Sequence, residues 1–264
     1  MRAFIVDAFT DRPFAGNPAG VCLLDTPADA AWMQQVAAEF NLSETAFVHP
    51  VGEDTYGLRW FTPTVEVDLC GHATLATAHV LYTAHGAARD STLRFETLSG
   101  VLAARPQGHR GITLDFPADP PTTAPVPQRL AKVLGAEPVW TGRASHDLVV
   151  ELPDAAAVGD LSPDIAALAE FSGRAVIVTA GGPGGADHDF VSRVFAPAAG
   201  IPEDPVTGAA HCVLAPHWAG RLGRTELIGV QLSPRGGRVG VTLHGDRVAL
   251  LGQAVTVLEG ELRP

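Results

Sequence analysis

Apolar and polar residues alternate over many short stretches of the chain, and this period of two predicts β-strands. Two longer apolar stretches begin at glycines and have helical spacing with almost no polar face, which predicts buried helices over 72–84 and 208–220. Further helices are predicted over 28–41, 128–134 and 162–171. Strands are predicted over 2–9, 19–24, 45–49, 56–62, 92–97, 100–105, 111–116, 137–142, 147–152, 175–180, 188–195, 226–232, 238–244, 247–251 and 253–258.

Part of this pattern occurs twice. Arg59-Trp-Phe-Thr-Pro63 returns as Arg193-Val-Phe-Ala-Pro197, and each copy is followed by one of the glycine-led helices. Two shorter matches keep the same order, and the copies lie roughly 130 to 137 positions apart. This spacing is far longer than the unit of a solenoid repeat, so it indicates a duplicated domain.

The predicted fold class is α+β, with two pseudo-symmetric halves. Each half is expected to be a barrel-like, mainly antiparallel sheet wrapped around its central helix. Residues 117–127 contain five prolines and are expected to form an irregular linker. The first half therefore covers 1–116 and the second 128–264, and the C-terminal segment is allowed to cross back. A cleft between the halves is the expected small-molecule site.

Composition excludes several classes of function. The net charge is −11 without a basic cluster, so nucleic acid is not expected as a partner. No apolar run is long enough for a membrane span. Three widely spaced cysteines predict neither disulfides nor a zinc site and favour the reducing cytoplasm. Lys132 is the only lysine and lies in a predicted surface helix, so Schiff-base chemistry is not expected.

Polar residues beside the two glycine-led helices are the candidate chemistry. Free backbone N–H groups around Gly71 and Gly208 suit a carboxylate, although the glycines could serve packing alone. Glu44 can move a proton in a dehydrated cleft, or it is a surface residue at a helix end. His72 is expected to be a neutral ring at a helix N-terminus, or a histidine packed in the core. Asp204 either contacts substrate or only complements a helix dipole.

Together these residues resemble the phenazine-biosynthesis isomerase-like (PhzF-like) family, which shares the diaminopimelate epimerase fold. The resemblance rests on Asp7-Ala-Phe-Thr10, Gly16-Asn-Pro-Ala-Gly20, Asn41-Leu-Ser-Glu-Thr45, Arg59-Trp-Phe-Thr-Pro63, Asp68-Leu-Cys-Gly-His-Ala-Thr74 and Glu203-Asp-Pro-Val-Thr-Gly208. It implies an isomerase with its active site in a cleft, no cofactor, no metal and a homodimeric assembly.

The resemblance also implies roles for particular residues. Phenazine-pathway members isomerise trans-2,3-dihydro-3-hydroxyanthranilate by moving a proton. Glu44 would be the proton shuttle, and His72 and Asp204 would hold and polarise the small anionic substrate. The substrate-binding positions would be Cys70, Gly71, Thr207, Gly208 and Ala209.

Two departures keep other functions open. Ala209 stands where the family often has a serine, which places the phenazine substrate itself in question. Racemases of this fold use two facing thiols, but Cys70 corresponds to Thr207, a far weaker base. An amino-acid or hydroxy-acid epimerase that uses Glu44 with Cys70 or His72 is the first alternative. A non-catalytic small-molecule binding protein is the second.

Overall fold

The computed structural model describes residues 1–171 and 173–263. The chain divides into two compact units: Met1–Asp115 with the segment that begins at Leu251, and Phe116–Leu250. The proline-rich residues 117–127 thus belong to the second unit, and the C-terminal segment belongs to the first. Within the described residues, no helix is both long and apolar enough to cross a membrane.

The elements follow the predicted order closely. Up to the division between the units they are β1 (Arg2–Ala8), β2 (Asn17–Leu23), α1 (Ala30–Phe40), β3 (Glu44–Gly52), β4 (Thr55–Phe61), β5 (Glu66–Val67), α2 (Gly71–Ala84), β6 (Leu93–Thr97), β7 (Gly100–Pro106) and β8 (Ile112–Pro117). The later elements are β9 (Thr122–Thr123), α3 (Leu130–Leu134), β10 (Trp140–Arg143), β11 (Asp147–Glu151), α4 (Ala155–Gly159), α5 (Ile165–Leu168), β12 (Ala175–Gly181), β13 (Phe190–Ala196), β14 (Ile201–Asp204), α6 (Gly208–Leu222), β15 (Glu226–Gln231), β16 (Gly237–His244), β17 (Arg247–Gly252) and β18 (Ala254–Glu261).

The first unit has a mixed, mainly antiparallel strand arrangement. β1 pairs antiparallel with both β2 and β18. β2 runs parallel to β3, and β3 is antiparallel to β4. β4 pairs antiparallel with β5 and parallel with β6, after which β6, β7 and β8 form an antiparallel series.

The second unit repeats this order of pairings. β10 is antiparallel to β11, β11 is parallel to β12, and β12 is antiparallel to β13. β13 then pairs antiparallel with β14 and parallel with β15, and β15 is antiparallel to β16. Along the chain, α2 follows β5 and precedes β6, and α6 follows β14 and precedes β15. The α+β class is confirmed, and the shared pairing order makes the internal duplication visible in the topology.

Each unit has one helix that is buried along most of its length. α2 packs against β1, β2, β3 and β18 of its own unit, and α6 packs against β15 and β16. Both helices consist largely of alanine and other small or aliphatic residues, so the strands can approach them closely. Because burial on nearly every side fixes a helix in place, the N-termini of α2 and α6 are rigid platforms for the residues beside them.

Four local predictions need correction. The segment 117–127, expected to be irregular, contains β9, which pairs with Gly142 and Arg143 through threonines that keep the N–H groups a proline lacks. The helix expected over 162–171 forms only over Ile165–Leu168. An unpredicted helix, α4, is capped by the Asp154 side chain, which accepts from the Ala157 N–H group. β5 and β14 were also missed because two to four residues are too short to show a period.

Candidate functional site

Glu44 is the first residue of β3, directly after the turn that follows α1. The helix ends at Asn41, whose left-handed backbone (φ 51°) lets its N–H group bond to the Ala37 carbonyl. Glu44 lies opposite Ala19 of β2 in the parallel ladder, and its side chain is 14% exposed. It is therefore an anchored, nearly buried carboxylate and not a free residue on a helix end.

Cys70 and His72 flank the start of α2. Cys70 is the N-cap residue, with an extended backbone (φ −145°, ψ 109°), and its side chain makes no capping hydrogen bond. His72 lies in the first turn and is only 5% exposed, while Cys70 is 6% exposed. The helix thus presents an N-terminus without a side-chain cap between a buried thiol and a buried imidazole.

These three side chains form one cluster. The Glu44 carboxylate oxygen Oε2 lies 3.2 Å from His72 Nε2. Cys70 Sγ lies 3.5 Å from His72 Nδ1 and 4.0 Å from Nε2, and the Asn17 side-chain amide nitrogen lies 3.3 Å from Nδ1. The structure therefore brings together three of the candidate residues, Glu44, Cys70 and His72, and adds Asn17.

Cys70 keeps its proton at neutral pH. Burial raises the pKa of the thiol, and the negative charge of Glu44 raises it further, against a smaller opposite effect of His72. The thiolate is the nucleophilic and basic form of cysteine. A neutral Cys70 is consequently a poor base, although it remains a proton donor and a polar contact for the ring.

The pKa of His72 lies well above its ordinary value of 6.5. Burial lowers it, but the negative groups at Cys70 and Glu44 and the hydrogen bonds to both raise it more. Since Cys70 is protonated, the Glu44 carboxylate at 3.2 Å is the persistent cause. At an effective dielectric constant of about 20 that pair gains about 5 kcal/mol before desolvation, whereas a helix N-terminus opposes the charge by about 1 kcal/mol. The direction of this shift runs against the neutral ring that the helix N-terminus alone predicts.

The second unit holds another polar cluster at the start of α6. The Thr207 hydroxyl donates a short hydrogen bond to the Asp204 carboxylate, and the Thr207 N–H group donates to Gln231 Oε1 at 2.9 Å. Gln231 is fully buried and also donates to the Asp204 backbone carbonyl at 2.7 Å. Gln231 thereby fixes the loop between Asp204 and the helix.

Thr207 occupies in α6 the place that Cys70 occupies in α2. It is the N-cap residue, has an extended backbone (φ −111°, ψ 101°), and makes no side-chain capping bond. Gly208 is buried and Ala209 is partly exposed. The N-terminus of α6 therefore resembles that of α2 in geometry, but Thr207 and Ala209 replace the thiol of Cys70 and the imidazole of His72.

Strand register identifies the counterpart of Glu44. Phe47 lies opposite Arg59 in one unit, and Val178 lies opposite Arg193 in the other. Counting back three residues along each strand leads from Phe47 to Glu44 and from Val178 to Ala175. The counterpart of Glu44 is therefore Ala175, so only one of the two copies has a carboxylate at this position.

Positions that agree between the copies have structural roles. Arg59 forms a bidentate ion pair with Glu66 at 2.7 and 2.8 Å, and its guanidinium lies over the Phe61 ring. Arg193 forms the same pair with Glu203 at 2.7 and 2.9 Å. In both copies the glutamate precedes the buried helix by five residues, so the ion pair fixes the approach to that helix.

Sequence reasoning missed Asn17 and Gln231 as residues that contact the candidate site. Asn17 lies within the motif Gly16-Asn-Pro-Ala-Gly20, where Gly16 adopts a positive φ of 63° just before β2. Gln231 lies at the end of β15, and nothing in its local sequence distinguishes it. A fully buried glutamine between two strands is recognisable only after folding.

Comparisons with known proteins agree along the whole chain. The family model described as phenazine biosynthesis-like protein (PhzC-PhzF) matches residues 6–260. An uncharacterized isomerase of Halalkalibacterium halodurans is 48% identical over 260 residues, which covers 98% of this chain and 97% of that protein. A crystal structure of a PhzF-family protein from Enterococcus faecalis is 42% identical, with a TM-score of 0.94 over 100% of this chain and 99% of that one.

A more distant structure extends the fold to epimerases. A hydroxyproline epimerase from Agrobacterium vitis has a TM-score of 0.64 over 98% of this chain and 91% of its own, at 12% identity. At that identity the likeness establishes the fold alone, and it confirms the predicted epimerase-like architecture. The length of the family match, together with curated relatives named as isomerases, places this chain in the phenazine biosynthesis-like (PhzC-PhzF) family as an isomerase.

Proposed function

We propose that this isomerase moves a proton on a small carboxylate-bearing molecule without a cofactor, with Glu44 as the acid/base. The reaction would be similar to that of the dihydrohydroxyanthranilate isomerase of phenazine biosynthesis. One observation carries the proposal: a partly accessible carboxylate lies 3.2 Å from a buried imidazole at a helix N-terminus without a side-chain cap. The equivalent positions of the second copy, Ala175 and Ala209, have no such chemistry.

Glu44 suits proton transfer in position and exposure. Its side chain is 14% exposed, so a substrate can reach it while most of the surrounding water is excluded. His72 would be the positively charged partner of the pair. It would hold the Glu44 carboxylate in place and stabilise negative charge that develops on the substrate during transfer.

The substrate carboxylate would bind at a helix N-terminus. The N–H groups at the start of α2 point away from the helix body, and Gly71 offers no side chain that would block an approaching anion. We also propose that Asp204, Thr207, Gly208 and Ala209 contact the substrate, with Asp204 polarising one of its polar groups. Support for this second set comes from the family motif and from the ordered Asp204–Thr207–Gln231 cluster.

An epimerase that uses Cys70 is the alternative. Its support is the contact of 3.5 Å between Cys70 Sγ and His72 Nδ1. The raised pKa of the thiol argues against Cys70 as the base. Replacement by serine separates the two functions: Cys70→Ser would abolish epimerisation by a thiol but leave most of a Glu44-dependent isomerisation.

Solvent-deuterium incorporation followed by NMR tests the proposal. The protein would be incubated in heavy water with dihydrohydroxyanthranilate, diaminopimelate, proline and hydroxyproline in turn. Deuterium is expected on one carbon of one compound, and Glu44→Gln is expected to slow its appearance by about 10²- to 10⁴-fold, the usual contribution of a general acid/base. Glu39→Gln, an exposed glutamate of α1, is the matched control and should exchange at the wild-type rate.

The outcomes distinguish the roles. Exchange that persists in Glu44→Gln would refute Glu44 as the acid/base. Exchange that is lost in Cys70→Ser but retained in Glu44→Gln would establish the thiol alternative. Binding of a compound without exchange would refute catalysis on that compound and favour a binding role.

Two further properties are proposals. The cytoplasm is the proposed location, supported by the buried thiols of Cys22 and Cys70, which form no disulfide. A homodimer is the proposed assembly, supported by the family resemblance. Light scattering of the purified protein at several concentrations would test the second proposal, and a monomer throughout would refute it.

A further inference from the structure

The side chains of Glu44, Cys70 and His72 also form a set of metal-binding groups. They offer one carboxylate oxygen, one sulfur and one imidazole nitrogen, and these three atoms all lie within 4.8 Å of one another. Thiolate, imidazole and carboxylate are the three ligand types that zinc uses in proteins. Cys70 and His72 are two positions apart, but Glu44 lies in a different strand, so the spacing along the chain gives no sign of the full set.

Two of the three separations between the ligand atoms come close to those around a single zinc ion, and the third, oxygen to sulfur, is below 4.8 Å. Zinc bonds of about 2.0 Å to oxygen, 2.0 Å to nitrogen and 2.3 Å to sulfur at tetrahedral angles place nitrogen about 3.3 Å from oxygen and about 3.5 Å from sulfur. His72 Nε2 lies 3.2 Å from Glu44 Oε2 and 4.0 Å from Cys70 Sγ. The nitrogen–oxygen separation already matches, and the nitrogen–sulfur separation needs to shorten by only about 0.5 Å.

The surroundings favour a borderline-soft cation over a hard one. Cys70 and His72 are both buried, so the metal would exchange its water for two fixed protein ligands in a dry site. Magnesium and calcium prefer oxygen ligands and larger coordination numbers, which a cluster with one carboxylate does not supply. Glu44 keeps some exposure, which provides a route of entry.

We propose that Glu44, Cys70 and His72 form a Zn²⁺ site with three protein ligands and one open coordination position. On binding, the Cys70 sulfur and His72 Nε2 each form a bond to the metal, and the protons they carried pass to solvent. Metal binding stands independently of the catalytic role of Glu44. Zinc would inhibit the enzyme reversibly, because it would occupy both Glu44 and His72. This consequence rests on the proposed function.

Cobalt substitution tests the site without an activity assay. Co²⁺ occupies zinc sites and is coloured, and a cobalt–thiolate bond adds a charge-transfer band in the near ultraviolet. Titration of the purified full chain with Co²⁺ should give this band with saturation at one ion per chain, and Zn²⁺ should abolish it by displacement. Mg²⁺ at the same concentrations should leave the band unchanged.

Variants assign the ligands. Cys70→Ala should lose the charge-transfer band, and Glu44→Gln should keep the band but bind at least about tenfold more weakly, since it loses one ligand. Cys22→Ala removes another buried thiol, in β2, and should behave as wild type. Absence of the band in wild type, or its persistence in Cys70→Ala, would overturn the proposal. Glu44→Gln leaves both nitrogen and sulfur in place, so it reports on the site even if the Cys70 variant fails to fold.

Inhibition by zinc is tested in a separate activity assay. Zn²⁺ should stop deuterium exchange on the identified substrate, and a chelator should restore it. Full exchange in protein that shows a saturated cobalt–thiolate band would overturn the inhibitory consequence, while the spectroscopic result decides the metal site by itself.

Discussion

His211 should make the protein less stable in mild acid. The ring is fully buried in the first turn of α6, where its Nδ1 lies 2.9 Å from the Thr207 carbonyl and acts as a donor. Nε2 has no hydrogen-bond partner among the described residues and lies against Phe190 and Gly229. A second proton at Nε2 would place an unpaired positive charge in the core.

The magnitude follows from proton linkage. Burial lowers the pKa of His211 from 6.5 to about 4, against a smaller opposite effect of the Thr207 carbonyl. As the pH falls below 6.5, His211 binds a proton in the unfolded chain but not in the folded one. The free energy of unfolding therefore decreases until the pH reaches the folded-state pKa. Between pH 7 and pH 5 this single group costs about 2 kcal/mol of unfolding free energy, and the limiting loss is about 3 kcal/mol.

His211→Asn isolates this effect. The asparagine amide can still donate to the Thr207 carbonyl but does not titrate. Urea unfolding at pH 7 and pH 5 would measure both proteins, and the stability of wild type relative to the variant should fall by about 2 kcal/mol between the two values. The exposed His244→Asn controls for the loss of one histidine. Parallel changes in wild type and His211→Asn, within about 0.5 kcal/mol, would refute the reasoning.

Two further predictions concern ion pairs. NMR titration should give His72 a midpoint above 6.5 that moves down in Glu44→Gln, because the raising effect of the carboxylate is then lost. An unchanged midpoint would contradict the assigned cause. The stability that the raised pKa of His72 contributes is fully present below pH 6.5 and is lost as the pH rises through the folded-state pKa. Arg193→Met should cost about 3 kcal/mol, since Arg193 is nearly buried and also donates to the Leu161 carbonyl, whereas the more exposed Arg59→Met should cost about 1 kcal/mol. Urea unfolding of both variants checks this order, and equal costs would contradict it.

Local sequence determined most of the architecture. The period-two stretches and the two apolar helices predicted the major elements within a few residues, because burial of one strand face or of a whole helix must appear in the residue pattern. The repeated Arg-x-Phe-x-Pro blocks predicted the duplication, and the structure gives both arginines the same glutamate and aromatic contacts. Elements without a periodic pattern, such as β9 and β14, were not predictable in this way.

Which chemistry the candidate site can perform was decided by tertiary structure. The sequence identified Glu44, Cys70 and His72 as separate candidates, but it could not place a carboxylate 3.2 Å from the ring. That contact raises the pKa of His72, an effect opposite to the one expected from the helix dipole alone. Asn17 and Gln231 likewise gained their roles only when distant segments met. Residue patterns record which side chains are buried, whereas charge states and metal-binding geometry depend on separations between atoms that only the folded chain fixes.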